Sequence, residues 1–150
     1  MNGAARPTSV DTSTEALAES LRGAIGRFVR SVRSQSGTPR DAQADALADL
    51  AHAGPMSIAG LAESRGVTHQ SMRLVVARLE DAGLLKRQPD PADGRGWLMS
   101  LTAAGRRTVE KDRQARAQWL AQTIDEKLSP GEREELRRAV PLLLRLIDAG

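Results

Sequence analysis

The sequence predicts a mostly α fold with one small β-hairpin, and three observations predict it. Apolar residues recur at three- and four-residue intervals through most of the chain, the spacing of helices that bury one face. Between Ser57 and Ala82, two short helical patterns are separated by Arg65-Gly66-Val67, a tight turn built on glycine. Directly after them, Leu84–Gln88 and Trp97–Leu101 read as strands flanking Pro89–Gly96, a stretch rich in turn residues. Two short helices followed by a hairpin wing form the layout of a winged helix-turn-helix, which presents one helix to the DNA major groove.

The chain has 150 residues, enough for one domain with a real core. That domain is expected over residues 13–150, after a polar, aperiodic leader at 1–12 whose composition predicts disorder. No run of 18 apolar residues is present, and the polar N-terminus lacks the apolar middle of a signal peptide, so a cytoplasmic protein without a membrane partner is expected. With 0 cysteines there is no disulfide, thiol sensor or cysteine-rich zinc site, and His52 and His69 lack metal-ligand spacing. No nucleophile elbow, phosphate-cradling loop or zinc-protease motif occurs; neither enzyme activity nor a cofactor is expected. The net charge of +3 is uneven. From Arg65 to Arg107, eight basic residues face four acidic ones, a surplus of +4 that leaves −1 on the rest. A local surplus is the footprint of a polyanion binder, although a solvated mixed-charge surface gives the same count.

Taken in order, Leu17, Leu21, Ala24, Ile25, Phe28, Val29 and Val32 form one stripe of a first helix that begins near Ser13 and ends near Ser34–Gly37. Thr38-Pro39 predicts the next start, with Thr38 as N-cap, Pro39 at the first position and Asp41 in the first turn. This second helix buries Leu47 and Leu50 and stops at Gly54-Pro55, with His52 placed to favour its C-terminal dipole. Ser57 caps a third helix with Ile58, Leu61 and Ala62 inward. Thr68 caps a fourth whose core stripe is Met72, Val75, Val76 and Leu79, with Gly83 as its left-handed stop. That stripe leaves Gln70, Arg73 and Ala77 opposite, flanked by His69, Ser71 and Leu74. In the hairpin, Trp97 is expected to pack at the base, and Arg95 brings a cation to the polar loop. Thr102 caps a long helix to about Lys127. Ser129-Pro130-Gly131-Glu132 is a capping box opening a last helix, whose apolar face is Leu136, Val140, Leu143, Leu144 and Ile147, and which Pro141 should kink or deprive of one bond. The helices outside the winged core carry more apolar surface than that core can bury. An internal helical layer would cover it; so would a two-fold dimer that spaces two recognition helices one DNA turn apart.

These residues resemble the MarR family, the multiple-antibiotic-resistance regulators, from about Ser13 to Asp148. The likeness is densest in Gly54-Pro-Met-Ser-Ile-Ala-Gly-Leu-Ala-Glu, Val67-Thr-His-Gln-Ser-Met, Arg78-Leu-Glu-Asp-Ala-Gly-Leu-Leu, Asp90-Pro-Ala-Asp-Gly-Arg and Leu101-Thr-Ala-Ala-Gly. The resemblance implies a winged core at 38–101 with dimerisation helices at 13–36 and 102–148. It also implies a homodimer on a pseudo-palindromic operator in double-stranded DNA, a repressor often released by a small lipophilic or phenolic effector held between the first, second and fifth helices. Carried over, Thr68, Gln70, Ser71 and Arg73 would face the major groove, with His69 and Arg78 beside them. Lys86, Arg87 and Arg95 would meet the backbone, Arg95 at the wing tip held by Asp93. The chain departs from the family pattern where Ser-Arg-Leu-Val-Asp-Arg is usual: it has Arg73-Leu-Val-Val-Ala-Arg78, so the arginine is shifted one place and the acidic position is Ala77. Gly94 and Gly96 predict a mobile wing. A winged helix used as a protein-interaction or architectural module, without operator specificity, fits the same pattern.

Overall fold

The computed structural model describes residues 13–39 and 41–148; the leader expected at 1–12 lies outside them. Six helices and one hairpin follow each other as α1 (Thr14–Gln35), α2 (Ala42–Ala53), α3 (Ile58–Arg65), α4 (His69–Asp81), β1 (Leu85–Asp90), β2 (Asp93–Leu101), α5 (Ala103–Lys127) and α6 (Pro130–Ile147). Each helix opens on an oxygen-bearing cap, because the first turn of N–H groups has no partner within the helix. The caps are Ser13, Asp41, Ser57, Thr68, Thr102 and Ser129. The predicted capping box is present: Glu132 accepts from the Ser129 backbone N–H at 2.8 Å.

One of these caps departs from expectation. Asp41, not Thr38, starts α2, with its Oδ1 accepting from Ala44 N at 2.8 Å. Thr38 is buried and closes α1 instead, its hydroxyl lying 3.1 Å from Ser36 Oγ and 3.4 Å from the Arg33 carbonyl. A carboxylate caps as well as a hydroxyl, and Thr38 has local partners that satisfy it without a helix.

The core lies inside the winged unit. Ala46, Leu47 and Leu50 of α2, Leu61 and Ala62 of α3, and Met72, Val76 and Leu79 of α4 meet Leu85, Met99 and Leu101 of the hairpin. Gly66 takes the left-handed conformation between α3 and α4 at φ 61°, which lets the two short helices turn sharply against each other. Met56 pairs with Met99 through bonds of 3.1 and 2.7 Å, fastening the α2–α3 connection to the free edge of β2.

The hairpin is longer than the sequence suggests. β1 and β2 pair antiparallel from Leu85↔Leu101 to Pro89↔Trp97, and the stretch read as a loop contributes to both strands. The register then shifts, and Asp90 pairs with Asp93, so Gly94-Arg95-Gly96 forms an unmatched excursion in β2. Pro89 does not forbid this, since its missing N–H costs nothing on an edge. Trp97 does not pack at the base; it is 55% exposed, because the paired strands carry it beyond the reach of the core.

α5, with 25 residues and a length of about 38 Å, runs past the winged unit and lies against α1 and α2. α6 continues through Pro141 as a single helix and contains no buried residue. No helix among the described residues is long and apolar enough to cross a membrane.

Candidate nucleic-acid interface

Thr68 sets the start of the exposed face of α4. Its Oγ1 accepts from Ser71 N at 3.1 Å and donates to Ser71 Oγ at 2.8 Å, so both hydroxyl groups are engaged at the helix entrance. His69, Gln70, Ser71 and Arg73 all follow on exposed positions, and Arg78 is exposed in the last turn. Unpaired N–H groups and the positive end of the dipole at this entrance suit a phosphate.

The orientation of α4 sharpens which side chains lead. At about 100° per residue, buried Met72, Val76 and Leu79 define the inward direction, and Leu74 lies opposite them, with Asp81 on the same line in the last turn. Gln70 and Ala77 flank it on one side and Arg78 on the other. Arg73 is rotated toward the edge of the helix that carries Glu80. Leu74, expected from the sequence only at the flank, is 56% exposed.

The predicted cations are not equivalent. Arg87 forms a two-pronged pair with Glu80 of α4, through Nε at 2.7 Å and Nη2 at 3.0 Å. Those hydrogen bonds, then the charge of Glu80, hold the guanidinium pKa above its ordinary value. Lys86 projects from the other face of β1, into a groove of about 560 Å³ that it lines with Leu50, Gln88, Ser100, Arg106 and Val109. Asp93 steadies the wing tip through the backbone, its Oδ1 accepting from Arg95 N at 3.0 Å, and the Arg95 side chain is exposed. A Cβ at Gly96 would lie 3.3 Å from the Asp90 Cβ, a tight contact that a shift of a few tenths of an ångström would relieve. Arg65, counted in the basic surplus, is committed inside the fold: it donates to Asp49 at 2.6 Å and to the Asp45 carbonyl at 2.7 Å. No carboxylate among the described residues pairs with Arg73, Arg78, Lys86 or Arg95. The four together could neutralise a polyanion.

Two recesses border α1. The crevice shared by α1, α2 and α5 holds only about 30 Å³, the room of one water molecule. A larger recess of about 360 Å³ lies between α1 and α5, walled by Phe28, Val29, Val32 and Leu120 with Arg113 and Arg116 at its rim. Among the described residues, no group of three or more His, Cys, Asp or Glu is placed to hold a metal ion.

Residues 36–96 match the model of the MarR family. An uncharacterized HTH-type transcriptional regulator of Mycobacterium bovis is 38% identical over 134 residues, covering 88% of this chain and 93% of that protein. A similarly described regulator of Mycobacterium leprae is 37% identical over 136 residues, with 88% and 93% covered. Among solved structures, a Mycobacterium tuberculosis protein at 32% identity superposes with a TM-score of 0.64 over 98% of both chains. A MarR family protein of Bacillus stearothermophilus, at 20% identity, has a TM-score of 0.71 over 91% of this chain and 99% of its own, a likeness of fold.

Proposed function

The chain belongs to the MarR family of winged helix-turn-helix transcriptional regulators, and from that premise we propose that it acts as a homodimeric, operator-specific repressor. The observation that carries this reading is the exposed face of α4, capped at Thr68 and lined by Gln70, Ser71, Arg73 and Leu74, beside a wing that holds out Arg95. In this reading α4 enters the major groove, where Gln70 pairs with adenine and Arg73 with guanine, and Arg95 lies along the backbone or minor groove. Arg78 and the α4 N-terminus supply phosphate contacts that fix register. Lys86 would reach the backbone from the groove it lines with Arg106, and Arg87 would do so once released from Glu80.

The second copy is argued from apolar surface. α1 exposes Leu17, Ile25, Phe28 and Val29, and α6 exposes Leu136, Val140, Leu142, Leu144, Leu146 and Ile147 at 41% to 73%. Exposed apolar faces on two helices call for a partner, and a two-fold copy presents the same helices in return. The recess between α1 and α5 combines apolar walls with guanidinium groups, which suits a phenolic or other aromatic acid as effector.

The test is competition among genomic fragments for the full chain, with sequencing of those retained. Enrichment of an inverted repeat is the expected result. Equal affinity for any duplex of matched length would overturn operator specificity and favour an architectural module. Aromatic acids that raise the melting temperature should also lower operator affinity; stabilisation without release would remove the effector role.

A further inference from the structure

The outward direction of α4 is occupied by a hydrocarbon. Leu74 stands opposite buried Met72, Val76 and Leu79, and its neighbours three and four residues away are Gln70, Ser71, Ala77 and Arg78. None of these is a large apolar residue, so Leu74 is the single large apolar side chain on this face of α4. Resting on the operator assignment above, we infer that Leu74, with the methyl group of Ala77 beside it, reads the 5-methyl group of thymine.

The chemistry of the groove makes this choice. Along the major-groove edges, guanine offers N7 and O6, cytosine its amino group, and adenine N7 and N6; thymine alone offers a methyl group. A leucine pressed on guanine, cytosine or adenine would strip water from donors and acceptors and give nothing in exchange. Over thymine it covers carbon with carbon. Gln70 lies one turn N-terminal to Leu74 on the same face, so the base it reads would neighbour this thymine. Arg73, turned toward the wing side, would read a different step. The base under Leu74 is therefore selected by shape and hydrophobicity, not by a cation.

The experiment uses the unmodified full chain and the sequence it enriches from the genomic pool. Each thymidine of that sequence is replaced in turn by deoxyuridine, which removes the methyl group and leaves the pairing edge intact. At one position per half-site the exchange should weaken binding roughly four-fold, the value of one buried methyl, and roughly fifteen-fold when both half-sites carry it. Leu74→Ala should lose most of the preference for thymine over uracil operators, keeping only what the Ala77 methyl supplies. An enriched operator whose affinity no uracil exchange changes would overturn the role of Leu74 alone, as would a Leu74→Ala protein that keeps full sensitivity. A pool with no enriched sequence would overturn operator specificity, and this inference with it.

Discussion

Thr102 and Gly105 join the wing to the long helix through three hydrogen bonds. The Thr102 hydroxyl donates to the Gly83 carbonyl at 2.6 Å, its N–H donates to the Leu84 carbonyl at 3.0 Å, and Gly105 N donates to the same hydroxyl at 3.0 Å. Gly105 is buried against that junction, and a Cβ built on it would collide with the Leu84 carbonyl oxygen. The Leu-Thr-x-x-Gly run is thus a packing device: threonine caps α5 while glycine lets the helix start touch the backbone that leaves α4. Gly105→Ala should cost about 1–3 kcal/mol as backbone shifts to relieve the overlap. Urea denaturation at fixed protein concentration measures it, and an unchanged midpoint would show that the junction tolerates the methyl. For the residues proposed to face DNA the expected effects differ in kind. Arg73→Ala should lose about 1–3 kcal/mol of discrimination at one base pair, whereas Arg95→Ala should weaken all duplexes alike and lower the salt slope by about one. Titration of operator and scrambled duplexes over a salt series separates the two, and an Arg73→Ala protein with unaltered preference would remove that residue from the groove.

At the scale of elements, the pair between Glu80 and Arg87 ties the last turn of α4 to the first strand of the wing. Arg87 gains no free charge for DNA while Glu80 holds it, and Glu80 sets part of the angle between helix and wing. Glu80→Gln should therefore raise affinity for random duplex and steepen the dependence of log K on log salt by about 0.9, one further phosphate neutralised. A slope identical to that of the unmodified chain would show that Arg87 stays out of reach even when released. No sequence pattern announced this pair, because it joins residues seven apart across a turn, where neither helical nor strand periodicity applies. Local signals carried the rest of the winged unit well: hydroxyl caps at Ser57 and Thr68, the turn at Gly66, and the buried stripe of α4 are all nearest-neighbour chemistry. The hairpin was less legible. Turn-forming residues from Pro89 to Gly96 suggest a wide loop, yet Pro89, Asp90 and Asp93 are paired, which leaves Pro91-Ala92 at the turn and Gly94-Arg95-Gly96 outside the register. Trp97 was misplaced for the same reason, since one pair more or less decides whether a side chain reaches the core or the solvent.

The whole molecule is unbalanced as one chain. Its core is confined to the winged unit and the faces that α1, α2 and α5 share, while α6 buries nothing and α1 buries only Val32. A second copy related by a two-fold axis would cover both helices and convert two weak readers into one strong one. The gain comes from linkage: once one recognition helix is seated, the other meets its half-site at a high effective concentration, which adds about 10²–10⁴ to affinity without a new contact. Leu144→Asp places a charge on the exposed α6 face and should dissociate the pair without disturbing the winged core, because Leu144 is exposed and lies outside that core's cluster. Sedimentation equilibrium should then report one chain's mass, and operator affinity should fall by about the same 10²–10⁴. Half-site affinity, and its sensitivity to the thymine methyl, should remain, since Leu74 and Gln70 belong to a unit that keeps its own core. A Leu144→Asp protein that stays dimeric would move the interface elsewhere. A monomer that binds the full operator as tightly as the unmodified chain would show that pairing of the heads contributes nothing to recognition.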